Sequence, residues 1–200
     1  MVIVGTGGLA KDLIVGLMAD FKHLNLFFFN DRSDCPKGLF LDRFEIIRSY
    51  DELTKHFETN RNEFVVAIAN PLQRLRITNK LVDIGGIPAT AFSNKQCVIS
   101  EFSKLGKGTI VISGAMIGSC VTMGDGNYFN AGSIIGHDAI IGNFVSFGPG
   151  CKILGKAEIG DYTFIGANAV ILSGVKIGKK VRIGIGKIVS EDVPDNTKFI

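Results

Sequence analysis

The sequence predicts a small α/β domain, one mononucleotide half of a Rossmann fold, followed by a prism wound from six-residue units, a hexapeptide β-solenoid. Three observations predict it. Every sixth residue from Ile99 to Val189 is apolar: Ile99, Leu105, Val111, Ile117, Met123, Phe129, Ile135, Ile141, Phe147, Ile153, Ile159, Ile165, Ile171, Ile177, Ile183 and Val189. Only 46% of the chain is hydrophobic, so an unbroken series of this length is not a product of composition, and a fixed period marks a repeat architecture. The residue two places earlier is nearly always small or β-branched, as in Ala115, Val121, Ser133, Ala139, Val145, Cys151, Ala157, Thr163, Ala169 and Val175. Residues two apart on a strand share a face, so each unit turns a large and a small side chain inward. At the other end of the chain, the apolar run Val2 to Val4 leads into Gly5-Thr6-Gly7-Gly8-Leu9-Ala10, a G-x-G-x-x-A turn of the kind that brings a phosphate to a helix N-terminus.

In chain order, Val2 to Val4 reads as a buried strand and the residues after the Gly-rich turn as an amphipathic helix to about Asp20. A second apolar strand, Leu24 to Phe29, ends in Asn30-Asp31, where an acidic residue meets a ribose in nucleotide-binding units. A loop with Pro36 and Gly38, a strand around Glu45 to Ile47 and a short helix near Asp51 to Phe57 follow. Phe64 to Ala69 is a further strand, and Asn70-Pro71 opens a helix to about Ile84, with Pro in the first turn and Leu72, Leu75, Ile77, Leu81 and Val82 as its apolar residues. Gly85-Gly86 stops it. The expected division is an α/β domain over 1–88, a connector over 89–98 and the solenoid over 99–200.

Short strands turning every six residues make a prism, with three sides, about 18 residues, to a coil. The glycines that follow the large residues, such as Gly118, Gly136 and Gly148, suit turns or close backbone approach. The residue before each large one points outward, which separates three faces. The first reads Val98, Met116, Ile134, Lys152, Val170, Ile188; the second Ile110, Tyr128, Ser146, Phe164, Arg182; the third Lys104, Thr122, Ile140, Glu158, Lys176. Two apolar stripes against one polar face predict a homotrimer, because a monomer has no reason to expose them.

A formal charge of +3, dispersed along the chain, gives no nucleic-acid footprint. Met1 leads straight into an apolar strand, with neither a secretory h-region nor a run of membrane-spanning length, so a cytoplasmic protein without membrane contact is expected. Cys35, Cys97, Cys120 and Cys151 form no C-x-x-C pair and read as reduced structural residues. Of the three histidines, His23, His56 and His137, only His137 lies in the solenoid, at a turn beside Asp138 and the Ile134 stripe. One histidine argues against a catalytic metal, since a zinc site takes about three protein ligands. Acid–base work or simple solvation both remain open for it on these residues alone.

The Gly-rich turn, the Ala67-Ile68-Ala69-Asn70 strand end and the segment Ile135-Gly136-His137-Asp138-Ala139-Ile140-Ile141-Gly142-Asn143-Phe144 together resemble bacterial sugar acetyltransferases of the NeuD and PglD kind, over nearly the whole chain. The resemblance implies a left-handed parallel β-helix, a hand that departs from the usual right-handed crossover. It implies acetyl transfer from acetyl-CoA, without metal, to the amine of a nucleotide-linked amino sugar in surface-glycan synthesis, or else to a hydroxyl of a sialic-acid-like sugar. It further implies a homotrimer with active sites between subunits. His137 and Asp138 match the catalytic pair of that family. Gly5, Thr6, Gly7, Gly8, Asn30, Asp31, Ala69 and Asn70 match its sugar-nucleotide residues, and Ser146, Gly155, Ala167, Gly184 and Ile185 its acetyl-CoA residues. Three features depart from the pattern: Ser146 stands where some relatives carry a second histidine, Leu9-Ala10 replace a common histidine and glycine, and the sequence stops at Ile200, shortly after Val193-Pro194-Asp195-Asn196, where relatives continue with a Gly-x-Pro-Ala-Lys-like tail. The adenine end of the CoA site is where the resemblance reaches least. A non-catalytic trimer, with His137 a mere turn residue, and an NAD-dependent oxidoreductase are the competing readings; the second lacks the other half-domain that a dinucleotide needs.

Overall fold

The structure, a computed structural model, describes residues 1–20, 25–33, 35, 37–94 and 96–200. The N-terminal part is a five-stranded parallel sheet of order β3-β2-β1-β4-β5. Its elements are β1 (Val2–Val4), α1 (Gly8–Asp20), β2 (Phe27–Phe29), β3 (Ile46–Ile47), α2 (Tyr50–Thr59), β4 (Glu63–Val66), α3 (Pro71–Asp83) and β5 (Ile87–Pro88). The chain order reverses at β1, and a crevice beyond the carboxyl ends of strands at such a switch point is where open α/β sheets bind ligands. Leu53, Phe57 and Leu81 from α2 and α3 pack on one side with Val2, Val4, Phe29, Phe64 and Val66. Leu13, Ile14 and Leu17 of α1 pack on the other, together with Ile110, Ile112 and Tyr128 of the prism.

Several element boundaries differ from the sequence reading. β4 ends at Val66, three residues before Ala69, because the chain there leaves the sheet to reach α3. The β2 strand begins at Phe27; Leu24, Pro36 and His23 lie outside the described residues. In α3, Leu72 and Val82 are exposed, while Arg74 is buried with Pro71 and Leu81. The apolar residues alone misplace this helix's inner face, since a long cationic side chain can bury its stem wherever its head finds acceptors. Residues 89–98, expected as a connector, already carry two prism strands: Ala91–Phe92 pairs with Ile110–Val111, and Val98–Ile99 with Met116–Ile117.

The prism has three parallel sheets of two-residue strands, seven, six and four strands long. They are the second, first and third faces in that order, with the register the period predicts: Ser146 beside Tyr128 and Phe164, Ile134 beside Met116 and Lys152, Ile140 beside Thr122 and Glu158. Every member of the sixth-residue series from Val111 to Val189 is buried in one core, where Phe129 and Phe147 stack with centroids 4.6 Å apart. The last coil is shorter than the others, Arg182 pairing with Lys198, which is why the series stops at Val189.

The hexad glycines serve close approach and not backbone conformation. A Cβ on Gly136 would stand 2.6 Å from the Gly155 nitrogen, and one on Gly148 2.6 Å from that of Ala167. The left-handed turn position comes three residues after the large inward side chain and is often not glycine, as at Asp138 (φ 58°), Phe144 (φ 52°), Lys156 (φ 61°) and Tyr162 (φ 61°). Asx side chains brace one edge between coils: Asn143 Oδ1 accepts from the Asp125 N–H and Asp161 Oδ1 from the Asn143 N–H.

The second apolar stripe is no free surface. Its residues Ile110, Tyr128 and Ser146 are buried beneath the chain's own N-terminal domain, a contact that the periodicity does not encode. The first stripe does face outward, with Val98 58%, Met116 46%, Ile134 36% and Ile188 66% exposed. Among the described residues no helix is long and apolar enough to cross a membrane.

Candidate active site

At the switch point of the sheet, the turn after β1, the end of β2 and the exit of β4 enclose a cavity of about 670 Å³. Gly5, Thr6, Gly7, Gly8, Asn30, Asp31 and Ala69, all singled out from sequence, line it. Gly5 takes φ +104° and its N–H donates to Phe29 O at 2.8 Å, which turns the chain toward the start of α1. A Cβ on Gly7 or Gly8 would meet no protein atom within 4 Å, so the space over the helix N-terminus is open. The Asn30 amide donates to Thr6 Oγ1 at 2.7 Å and its oxygen accepts from the Arg32 N–H at 3.1 Å, tying the turn to the end of β2. Asn70 is not part of the lining: it caps α3, its Oδ1 accepting from the Gln73 N–H at 3.0 Å. Tyr50, Gln73 and Ile77 also line the cavity, and nothing in their spacing announces them. Burial, and then the Asp31 carboxylate, push the Tyr50 hydroxyl up from its ordinary pKa.

A second groove, of about 520 Å³, runs along the prism edge between the second and first faces. Ser146, Ala167, Gly184 and Ile185 line it with Phe164 and Arg182, and Ala69 borders both cavities. The Ser146 hydroxyl donates to the Ala69 carbonyl at 2.6 Å and is buried, so it joins the two domains. Gly155 does not line this groove.

His137, Asp138 and Gly155 lie together on a different edge, between the first and third faces. Since a carboxylate only accepts, the imidazole Nδ1–H donates to Asp138 Oδ2, at 2.8 Å, which leaves Nε2 as the basic atom. Backbone bonds fix the turn: the Asp138 N–H donates to Ser119 O and the Lys156 N–H to His137 O, both at 2.9 Å. A Cβ on Gly155 would stand 2.7 Å from His137 Nε2, so glycine is what makes room for the ring. The His137 side chain is 66% exposed and next to the outward Ile134. The sequence-selected residues therefore form three clusters: two meet at Ala69, and the third stands on another edge of the same chain.

All four cysteines are free, and burial pushes the Cys151 thiol up to about 12, which leaves it inert inside the prism. No group of three His, Cys, Asp or Glu among the described residues is arranged to hold a metal ion.

The profile of the PglD N-terminal domain matches residues 1–81, and that of the bacterial transferase hexapeptide (six repeats) matches residues 156–191. No curated protein matches the chain in sequence. Among solved structures, perosamine N-acetyltransferase from Caulobacter crescentus, a histidine-to-asparagine mutant in complex with CoA and GDP-perosamine, superimposes with a TM-score of 0.89 at 28% identity, over 97% of this chain and 90% of that one. The acetyltransferase domain of PglB from Neisseria gonorrhoeae has a TM-score of 0.89 at 24% identity, over 98% and 94% of the two chains. WeeI from Acinetobacter baumannii AYE has a TM-score of 0.70 at 21% identity, over 98% and 94%, and like the PglB domain shares the fold. The chain thus joins a region similar to the PglD N-terminal domain to a hexapeptide-transferase prism, an architecture it shares with perosamine N-acetyltransferase over nearly its whole length.

Proposed function

We propose that this protein transfers an acetyl group from acetyl-CoA to the amine of a nucleotide-linked amino sugar. The observation that carries the reading is the meeting of two cavities at Ala69, one on a Gly-rich helix N-terminus and one along a prism edge. The perosamine N-acetyltransferase structure, which holds CoA and GDP-perosamine, supports it. The diphosphate sits over the Gly5 to Gly8 turn, where helix N–H groups and the absence of a Cβ favour an anion. Asp31 accepts from the ribose. Ala167, Gly184 and Ile185 hold the CoA chain along the groove, with Ser146 at its floor.

His137 Nε2 takes the proton from the amine as its nitrogen attacks the thioester carbonyl. Asp138 holds the imidazole in the tautomer that makes Nε2 the base and stabilises the imidazolium that forms. The carbonyl oxygen becomes an oxyanion, met by the Gly155 N–H. As it collapses, the carbon–sulfur bond breaks and the imidazolium returns the proton to the thiolate of CoA. The amide and free CoA leave.

The base stands on one prism edge and the groove on another, so a single copy does not bring His137 to a thioester in its own groove. The exposed stripe of Val98, Met116, Ile134 and Ile188 supports a second copy packing there. We read the assembly as a cytoplasmic homotrimer in which one subunit's His137 faces the neighbour's groove, with residues 1–88 binding the nucleotide and the prism binding CoA. Thiol release from acetyl-CoA, measured with UDP-, GDP- and CMP-linked amino sugars, tests the reaction. Release that depends on an amine acceptor is expected; no release with any of the three classes would overturn it.

A further inference from the structure

Arg74 is the one charged residue that is buried among the described residues, at 1% exposure, and no carboxylate pairs with it. Burial pushes its guanidinium down to about 9, so it remains a cation at neutral pH. All its hydrogen bonds go to backbone carbonyls. Nη1 donates to Ile68 O at 2.7 Å and Ala69 O at 3.1 Å, Nε to Gly126 O at 2.8 Å, and Nη2 to Val145 O at 3.1 Å. A buried charge is a poor device for stability alone, because an apolar side chain of similar size often serves the fold as well. What the planar fork adds is geometry, since it fixes four acceptors at set positions.

Those acceptors are not scattered. Ile68 and Ala69 form the rim shared by the nucleotide cavity and, at Ala69, the prism groove. Gly126 and Val145 belong to two neighbouring coils of the prism, and Val145 precedes Ser146, whose hydroxyl also donates to Ala69 O. One carbonyl is thus held by two donors, one from each domain. We propose that Arg74 is a positioning residue that, acting through Ala69, sets the distance between the bound amino sugar and the thioester. It does this for the transfer reaction proposed above, and so rests on that reading. Reacting atoms must come within about 3.5 Å, and a displacement of about 1 Å can cost about 100-fold in rate.

Arg74→Lys tests this, because an ammonium keeps the buried charge but cannot span carbonyls in both domains. The expected result is a folded protein of wild-type oligomeric state whose separate affinities for nucleotide sugar and for CoA, by calorimetry, stay within about threefold, while kcat falls by about 100-fold. Hydrogen exchange at residues 68–70 should rise while β4 keeps its protection. Unchanged kcat per folded molecule, or unchanged exchange at 68–70, overturns the proposal and leaves Arg74 a structural brace. If wild-type protein transfers no acetyl group, the functional reading fails, and the exchange measurement still decides whether Arg74 holds the rim. Should Arg74→Lys not fold, Ser146→Ala removes the other bond to Ala69 O and is judged by the same exchange and by kcat against nucleotide-sugar affinity.

Discussion

At the scale of single residues, the imidazole of His137 is defined by three neighbours: Asp138 on Nδ1, Gly155 beneath the ring, and the Lys156 N–H on its carbonyl. Loss of a positioned base typically lowers the rate by about 100- to 10,000-fold, whereas an exposed turn substitution changes stability by about 0.5 kcal/mol. His137→Ala should therefore keep its melting temperature and CoA affinity while turnover collapses. The backbone of Asp138 separates two further variants. Its left-handed φ of 58° suits Asn but strains Ala by about 1 kcal/mol or more. Asp138→Asn should slow turnover less than His137→Ala at unchanged stability, and Asp138→Ala should both slow turnover and lower the melting temperature; steady-state kinetics beside thermal unfolding read both. The pair was legible because its members adjoin in sequence and the hexad places them on a turn. The interdomain hydrogen bonds of Ser146 and Arg74 were not, because those acceptors lie 77, 71 and 52 residues away, in the other domain. A serine in an outward hexad slot and an arginine on a helix carry no local mark of such partners.

At the scale of elements, the six-residue period gave strand positions, faces and register together, because every coil repeats the same steric demand and a slip of one residue would turn the large side chains outward. The role of the glycines was only half legible. They occur where the chain of the next coil passes within contact of the Cα, while the left-handed position two residues later tolerates Asp, Asn, Lys or Tyr. Gly160→Ala follows from this difference: its Cβ would stand 2.6 Å from the Gly178 carbonyl carbon, and Gly160 lines neither cavity. Overpacking of this kind costs about 1–3 kcal/mol, so the denaturant midpoint should fall with kcat per folded molecule unchanged. In the α/β domain, strand and helix order was legible from apolar runs and turn residues. The inner face of α3 was not, since apolar spacing assigns Leu72 and Val82 inward and the structure turns Arg74 there instead.

At the scale of the whole molecule, two apolar stripes suggested a trimer, and the structure accounts for one of them within a single chain. Sequence periodicity separates outward from inward residues but does not say whether the chain's own second domain covers them. The first stripe carries the argument that remains. Ile134→Glu would place a carboxylate of each copy in a packed contact, where an unpaired buried charge is costly, and sedimentation should show smaller species at micromolar concentration. Unaltered assembly would place the contact elsewhere.

A transfer site shared between copies has a sharper consequence. His137→Ala removes the proposed base, and Gly7→Val puts a side chain over the helix N-terminus, where a Cβ meets no atom beyond its chain neighbours within 4 Å. Each variant alone should be nearly inactive. In trimers made of both, a site is whole when one chain supplies His137 and its neighbour an intact Gly-rich turn; random mixing gives about a quarter of the sites in a ring of heterologous contacts. Co-expression and purification of mixed trimers, assayed for thiol release with an accepted nucleotide-linked amino sugar, is the most direct measurement. Recovery of about a quarter of wild-type activity is the predicted result, and mixed trimers no more active than either parent would contradict a site built from two chains.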